Sequence, residues 1–371
     1  MRHAWRVGKI FGIDINIDSS WLIIFILFTW VLAATYFPQN YPDWPQSLYW
    51  LMGVFTSLLV FASVLIHELS HSLVAMKQGE RVRGITLFIL GGVAQITEEP
   101  KEPLKEFTMA LVGPLSSLAI AFVFLVFSFF LRGLSEPLYA SALYLAIINT
   151  ILAFFNLLPG FPMDGGRILR SILWKITGSL RKATRIASLA GQGFAFFFVF
   201  IGILQILRAN LSGLWLILIG WFLHSAAVRG YNQVMVQTML KGVKAGDLMT
   251  KDFKTVASDV NVQDLVDNFI LKEKERVFLV KDDGTLKGIV CLEDVKSVSR
   301  EKWPTSRVAD IMTPREKLEA VSLDTDGSQI LNSLNTRDIH QVPVMKGEEI
   351  AGIICRTDIL RFIQFRTELG V

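Results

Sequence analysis

Long apolar runs fill the first 230 positions, and after about Tyr231 they give way to short β-branched runs set among charges. A helix crosses a hydrocarbon core of about 30 Å in about 20 residues. Six runs approach or exceed that length, at 21–37, 48–76, 107–131, 138–158, 187–207 and 211–228, and they predict six membrane-spanning helices. Residues 1–20 alternate polar and apolar positions without a small-residue cleavage site after an apolar run, so they do not read as a signal peptide. The stretch 83–96 is β-branched and punctuated by Gly91 and Gly92. Too short to cross a bilayer, it predicts a hairpin or re-entrant sheet edge.

Cationic loops tend to stay cytoplasmic. One face of the predicted bundle carries Arg2, Arg6 and Lys9, then Lys77, Arg81, Arg83, Lys101 and Lys105, then Arg167, Arg170, Lys175, Arg181, Lys182 and Arg185. The opposite loops offer Arg132 and Arg208. A multi-pass protein of the cell membrane with both termini in the cytoplasm is the expectation, and the loop 37–45, which holds Tyr, Trp and Pro but no Lys or Arg, suits the external face.

The tail contains a repeat. Asp247-Leu-Met-Thr recurs as Asp310-Ile-Met-Thr, 63 positions on, and Gly288-Ile-Val-Cys-Leu-Glu-Asp recurs as Gly352-Ile-Ile-Cys-Arg-Thr-Asp, 64 positions on. A helical segment and then a short apolar strand lie inside each copy, as a tandem duplication requires. The expected partition is a six-span domain at 1–230, a linker at 231–244 and a soluble domain at 245–371 with repeats at about 245–300 and 308–365.

Composition narrows the class. Apolar residues make up 52% against 19% charged, which excludes disorder, collagen and disulfide-rich scaffolds. The net charge of +4 is small and says little about nucleic acid, and no nucleic-acid partner is expected. Cys291 and Cys355 fall in the cytosolic part and read as thiols.

Within the second span stands His67-Glu68-Leu69-Ser70-His71. Helix positions four apart share one face, so both imidazoles reach one metal ion with Glu68 beside them. A catalytic zinc keeps an open position for a water whose pKa it lowers to about 7, and Glu68 is placed to take that water's proton. Ionisable side chains inside an apolar span cost about 2.5–3.5 kcal/mol each on insertion scales, so three in five positions call for a ligand. Counting from Leu48, the motif begins about 28 Å along the helix, near the cytoplasmic edge. Iron shares the preference for two His and one carboxylate.

A third donor is needed. His3 and His340 lie outside the membrane part, and His224 is alone on the last span, where a satisfied or interfacial histidine is ordinary. Asp164 is the better donor. It follows the fourth span in a segment whose Pro159, Gly160, Pro162, Gly165 and Gly166 break the helix, on the same predicted side as His67. The alternative for Asp164 is an N-cap of the following helix. An exposed strand at 83–96 would hold an extended peptide by strand addition, with Gly91 and Gly92 at its edge.

Residues 1–230 resemble the site-2 protease family of intramembrane zinc metalloproteases. The resemblance rests on HELSH at 67–71, on N-x-x-P-x-x-P-x-D-G-G-R from Asn156 to Arg167, on Gly91-Gly92 and on Gly113-Pro-Leu-Ser-Ser117. It implies one zinc ion per chain held by His67, His71 and Asp164, with Glu68 as general base. It also implies Asn156 near the scissile peptide, where its amide would bond the substrate carbonyl or oxyanion, and Pro162 shaping the aspartate loop. Residues 243–365 resemble a pair of CBS motifs, which often bind adenosine nucleotides between the repeats. That resemblance implies Asp294 and Asp358 at ribose hydroxyls. Three positions earlier, where the family often has Ser or Thr, this chain has Cys291 and Cys355, and a docking or homodimerisation module without ligand is the alternative. No Walker-type phosphate loop is present, so ATP hydrolysis is not implied.

The expectation is a polytopic α-helical membrane protein, six transmembrane helices with a small β hairpin or edge sheet, plus a cytosolic α/β tandem CBS domain. Its function would be a zinc endopeptidase cutting transmembrane segments of membrane proteins in the lipid bilayer, regulated by the tail. Two rivals stay open. A CBS-gated transporter or channel would spread polar residues along the bilayer depth, whereas this sequence gathers them at one depth; a zinc-bound but silent scaffold would have no need of Glu68.

Overall fold

The apolar runs fold as helices long enough to cross a bilayer. In the computed structural model, which describes residues 4–89, 91–96, 102–336, 339, 341–347 and 349–369, the spanning helices are α1 (Ser19–Asn40), α2 (Gln46–Lys77), α3 (Pro103–Leu131), α4 (Glu136–Asn156), α6 (Leu180–Leu207) and α7 (Gly213–Leu240). Between α4 and α6 lies a shorter amphipathic helix, α5 (Asp164–Thr177). Several of the helices extend beyond the apolar runs at one end or both. The third, expected from 107, starts at Pro103 and takes in Lys105 and Glu106, and the last, expected to stop at 228, continues through Arg229 to Leu240.

Lipid offers helices no hydrophobic reason to associate, so close packing and interhelical hydrogen bonds do that work. Thr29 on α1 donates to Ser57 on α2 (3.0 Å), Thr56 on α2 to Ser141 on α4 (2.8 Å), and the Asn149 amide on α4 to Ser63 on α2 (3.3 Å). Where α6 meets α7, a Cβ on Gly202 would stand 2.6 Å from the Gly213 carbonyl oxygen. Backbones pass there at a distance no side chain permits.

A four-stranded sheet accompanies the bundle, in the order β1 (Ala4–Ile10), β2 (Ile13–Asp18), β3 (Val82–Phe88), β4 (Gly91–Ile96). The 83–96 hairpin is its β3–β4 half. The other half is an N-terminal hairpin, whose β2 runs parallel to β3 with Asp14 opposite Gly84 and Ile17 opposite Leu87. Ile13, Ile15 and Ile85 bury one face of the sheet against Leu69 of α2. That contact leaves β4 as an outer strand lying along the helix that carries the histidines.

Two units divide the chain, Met1–Val234 and Met235–Val371, and of the expected linker 231–244, residues 231–240 are helical. The reason for the extension is packing, because Leu240 is fully buried with Ile330, Leu334 and Ile359 in the second unit. That unit holds two sheets, β5–β8 (Lys254–Val256, Val277–Asp282, Thr285–Cys291, Thr313–Pro314) and β9–β11 (Val321–Ser322, Gln341–Lys346, Glu349–Cys355). Helices α8 (Leu292–Lys296), α9 (Gly327–Thr336) and α10 (Arg356–Leu369) pack with them. Leu279 and Ile289 of one repeat cluster with Ile353 of the other, which joins the duplicated halves.

Candidate metal centre

His67 and His71 stand one above the other on α2, both about 95% buried, with ring centroids 4.8 Å apart. Asp164, the first residue of α5, closes the group. Its Oδ2 lies 3.2 Å from His67 Nε2 and 3.2 Å from His71 Nε2, and the two Nε2 atoms are themselves 3.2 Å apart. Among the described residues, this is the group of His, Cys, Asp and Glu whose donor atoms converge closely enough to hold an ion.

The donor chemistry fits zinc. Tetrahedral donors about 2.0–2.1 Å from zinc lie roughly 3.3–3.4 Å from one another, close to the spacing found here. Each imidazole is also held by its far nitrogen. His71 Nδ1 donates to the Met109 carbonyl oxygen on α3 (2.6 Å), so its proton sits there and Nε2 turns a bare lone pair inward. His67 Nδ1 meets the Ser117 hydroxyl, two turns further along α3 (2.9 Å). The Asp164 carboxylate meets the two Nε2 atoms at 3.2 Å. An ionised carboxylate is the form a metal takes.

Two glycines decide how closely the neighbours approach. Gly113 of α3 lies against the imidazoles, where an added Cβ would stand 2.1 Å from His71 Nε2 and 2.8 Å from His67 Nε2. Gly92 of β4 lies against Glu68, with an added Cβ 2.5 Å from its Cγ. The outer strand thus presses on the one acidic side chain between the two histidines. Gly91 is at the start of the same strand with φ near +128°, a conformation that excludes other residues.

The aspartate loop is clamped. Gly165 sits so tightly beneath the Leu157 and Leu158 carbonyls that a Cβ would meet the Leu157 oxygen at 2.2 Å, which brings the end of α4, where Asn156 is the last residue, against the residue after Asp164. Pro162 is exposed in that loop, and the Phe161–Pro162 peptide is cis. Further along α5, Arg170 Nε donates to Glu106 Oε1 (2.6 Å), its Nη2 contacts the same oxygen, and its guanidinium covers the Phe161 ring at 5.1 Å. Glu106 and Arg170 are 1% and 4% exposed. This pair ties the helix that starts at Asp164 to the helix that supplies Met109, Gly113 and Ser117.

Removing one partner of a buried ion pair typically costs about 3–5 kcal/mol, because the other charge is left uncompensated. Arg170→Met should therefore lower both the thermal midpoint and the zinc content of the purified chain. Combining it with Glu106→Leu should recover most of the stability. A single variant as stable and as metal-loaded as the parent would show that the clamp does not position the loop.

The other candidates fall elsewhere. His224 stands on α7 against the Phe196 ring (5.4 Å) with its Nδ1 buried and without a hydrogen-bond partner, and it is not in the converging group. His3 and His340 lie outside the described residues. In the second unit, Asp294 and Asp358 accept from the Cys291 and Cys355 backbone N–H groups (both 2.8 Å), and the Cys291 thiol donates to Asp294 (3.0 Å). Both carboxylates anchor the first turns of α8 and α10. Burial pushes both thiols up to about 12, so they stay protonated at neutral pH. A cavity of about 140 Å³ lies beside them, lined by Arg276, Glu293, Gln341, Cys355, Arg356 and Thr357. Sequence reasoning missed its arginines because Arg276 lies outside the repeated motif and Arg356, though inside it, stands where the first copy has Leu292, so the repeat did not mark it.

Comparison with known proteins places these residues in context. The family model of peptidase family M50 matches residues 55–142 and 134–200, and that of the CBS domain matches 245–301 and 308–364. The Mycobacterium tuberculosis protein Rip3 is 34% identical over 370 residues, covering 98% of this chain and 93% of that one. Zinc metalloprotease MJ0392 of Methanocaldococcus jannaschii is 36% identical over 361 residues, covering 97% and 96%. Among solved structures, the site-2 protease from Methanocaldococcus jannaschii matches 61% of this chain and 94% of its own at 34% identity, with a TM-score of 0.42.

Proposed function

We propose, from the premise that this chain belongs to peptidase family M50, that it hydrolyses peptide bonds in or beside the membrane-spanning segments of other membrane proteins. Membership makes it a multi-pass membrane zinc metalloprotease acting on protein substrates, which sets the transporter alternative aside. The observation that carries the finer reading is the convergence of His67, His71 and Asp164 at 3.2 Å beside Glu68, at the ends of apolar helices.

In this reading His67, His71 and Asp164 hold one zinc ion per chain. When bound, such an ion polarises a carbonyl oxygen and acidifies a water. Glu68 takes the proton of the attacking water on its carboxylate and passes it to the departing amine nitrogen. Asn156, on the turn packed against Gly165, donates from its side-chain amide to the substrate carbonyl oxygen, where charge develops. A helical substrate hides its carbonyls in its own hydrogen bonds, so the segment must unwind. The outer edge of β4 offers the backbone groups that would hold it extended. Lysine and arginine on the loops at this end support a reaction near the cytoplasmic face, with both termini inside.

The CBS unit in this reading senses an adenosine nucleotide. Arg276 is engaged by Glu293 (2.8 Å), while Arg356 Nε is buried at the cavity without a partner, a donor suited to a phosphate oxygen. Pairing of two chains through these units would let the ligand act on assembly.

The test uses the purified full chain in lipid vesicles with single-span proteins. Cleavage should be lost on chelation and return with Zn²⁺, and adenosine monophosphate or triphosphate should change kcat/KM in the parent but not in Arg356→Gln. Digestion of an unstructured soluble polypeptide, with every single-span protein left intact, would overturn the membrane-substrate reading.

A further inference from the structure

Between α2 and α4 lies a cavity of about 180 Å³ whose walls are almost entirely apolar: Val60 and Val64 on one side, Ile148, Leu152 and Phe155 on the other, with Asn149 among them. A cavity of about 150 Å³ lined by such residues holds a benzene ring, so this one has room for a leucine or phenylalanine side chain. Those five apolar residues are half-buried and a sixth lining residue, Ile151, is exposed, which leaves the cavity open on the flank of the bundle.

Its position is tied to the metal centre through both walls. Val60 and Val64 precede His67 by seven and three residues and His71 by eleven and seven, so all four lie on one face of α2. On α4, Asn149 and Asn156 are seven residues apart and share a face. The cavity continues the surface that carries the histidines, roughly 10 Å further into the membrane at 1.5 Å per residue.

Asn149 supplies a second observation. It is 1% exposed, its amide nitrogen donates to the Leu145 carbonyl oxygen (2.8 Å) and to Ser63 (3.3 Å), and its carbonyl oxygen is buried with no hydrogen-bond partner. Two donations to acceptors fix which end is nitrogen. An acceptor left unsatisfied in an apolar surround is costly, and a donor brought by a ligand would relieve it.

We propose that this cavity is a specificity pocket for the substrate: it takes a large aliphatic or aromatic side chain about three residues from the scissile bond, on the membrane-interior side. The inference rests on the proteolytic reading above. The spacing follows from the extended form of the peptide, which rises about 3.3 Å per residue, so 10 Å is about three residues. The Asn149 carbonyl oxygen is buried behind the cavity wall, so it accepts a backbone N–H of the unwound segment only when α2 and α4 part around the bound side chain.

The experiment reconstitutes the full chain in phosphatidylcholine–phosphatidylglycerol vesicles with a single-span substrate carrying Ala, Leu or Trp at each position near the cut. One methylene in a fitted pocket changes kcat/KM by about 10-fold or more. The parent should therefore prefer Leu to Ala at least about tenfold at one position, three residues inward. Val64→Phe should reverse that preference and Leu152→Ala should move it toward Trp, with zinc content measured for both. As a measurement independent of those variants, photo-leucine at that position should cross-link to peptides containing Val60 or Ile148 in the Glu68→Gln chain. An unchanged ranking in a metal-loaded variant, or cross-links that miss these peptides, overturns the pocket. So does labelling of the cavity by a diazirine acyl chain that substrate fails to displace, because lipid is then its occupant. A parent that cleaves no membrane-spanning substrate at all refutes the proteolytic reading instead.

Discussion

Glu68→Gln is expected to lower kcat on single-span substrates by about 10²–10⁴-fold, the usual contribution of a positioned general base, while zinc content stays at the parent level. The substitution keeps the shape of the side chain. Its Cγ still rests on Gly92, where the room is so small that no β-carbon fits, and the amide fills the volume of the carboxyl. What it removes is the oxygen that can carry a proton. The donor group is untouched, since His71 remains bonded to Met109 and His67 to Ser117. KM should change little, because Glu68 is asked to act on a proton in flight and makes no demand on the ground-state substrate. His67→Ala provides the contrast: it should lose the metal and the activity together. Equal kcat in parent and Glu68→Gln vesicles, at equal zinc content by elemental analysis, would remove Glu68 from the chemistry.

The depth of the site was legible in the sequence because its parts sit on helices of known rise and period. H-E-x-x-H places two imidazoles on one face by spacing alone, and the proline and glycine residues around Asp164 break the chain at the matching depth. The groups that hold the donors were not legible in the same way. The Met109 carbonyl belongs to the backbone and leaves no trace in residue type. Ser117 and Gly113 were visible only as members of a motif, with no stated task. In space, Gly113 is small because two rings need its place, and Ser117 carries a hydroxyl because a ring nitrogen faces it. Glu106 marks the limit of hydropathy as a boundary signal. A charge there seemed to end the span, yet Arg170, 64 residues later, neutralises it inside the fold.

Long-range pairing explains the other differences. Residues 4–18 alternate with the period of a strand, but a lone hairpin is marginal. Its partner is β3, reached across a whole membrane crossing and return, and nothing local specifies that parallel register. In the second unit the duplicated motif revealed the repeats. The part taken by Asp294 and Asp358 in starting their helices depends on where the preceding cysteine N–H groups point.

Gly113→Ala is expected to weaken zinc binding by about 10–100-fold, the range seen when groups supporting metal ligands are disturbed, and to reduce cleavage at least in proportion. Helix propensity alone predicts the opposite sign, since alanine is about 1 kcal/mol more favourable than glycine in a helix interior. Packing decides otherwise, because the new methyl carbon would lie 2.1 Å from His71 Nε2 and 2.8 Å from His67 Nε2, well inside contact distance. Neither ring can yield freely: His71 is bonded to Met109 of the same helix, so retreat from the methyl group breaks that bond or turns Nε2 away from Asp164. Gly230→Ala on α7 isolates the propensity effect, for a Cβ there meets nothing within 4 Å. That variant should bind zinc as the parent does and unfold at the same or a slightly higher temperature. The two substitutions are chemically identical, so a difference between them in zinc affinity, read by competition with a chromogenic chelator, measures the steric closeness of α3 to the donor group. Equal affinities would mean that α3 stands back from the imidazoles, and that the ion is held in an arrangement other than the one in which Met109, Gly113 and Ser117 enclose it.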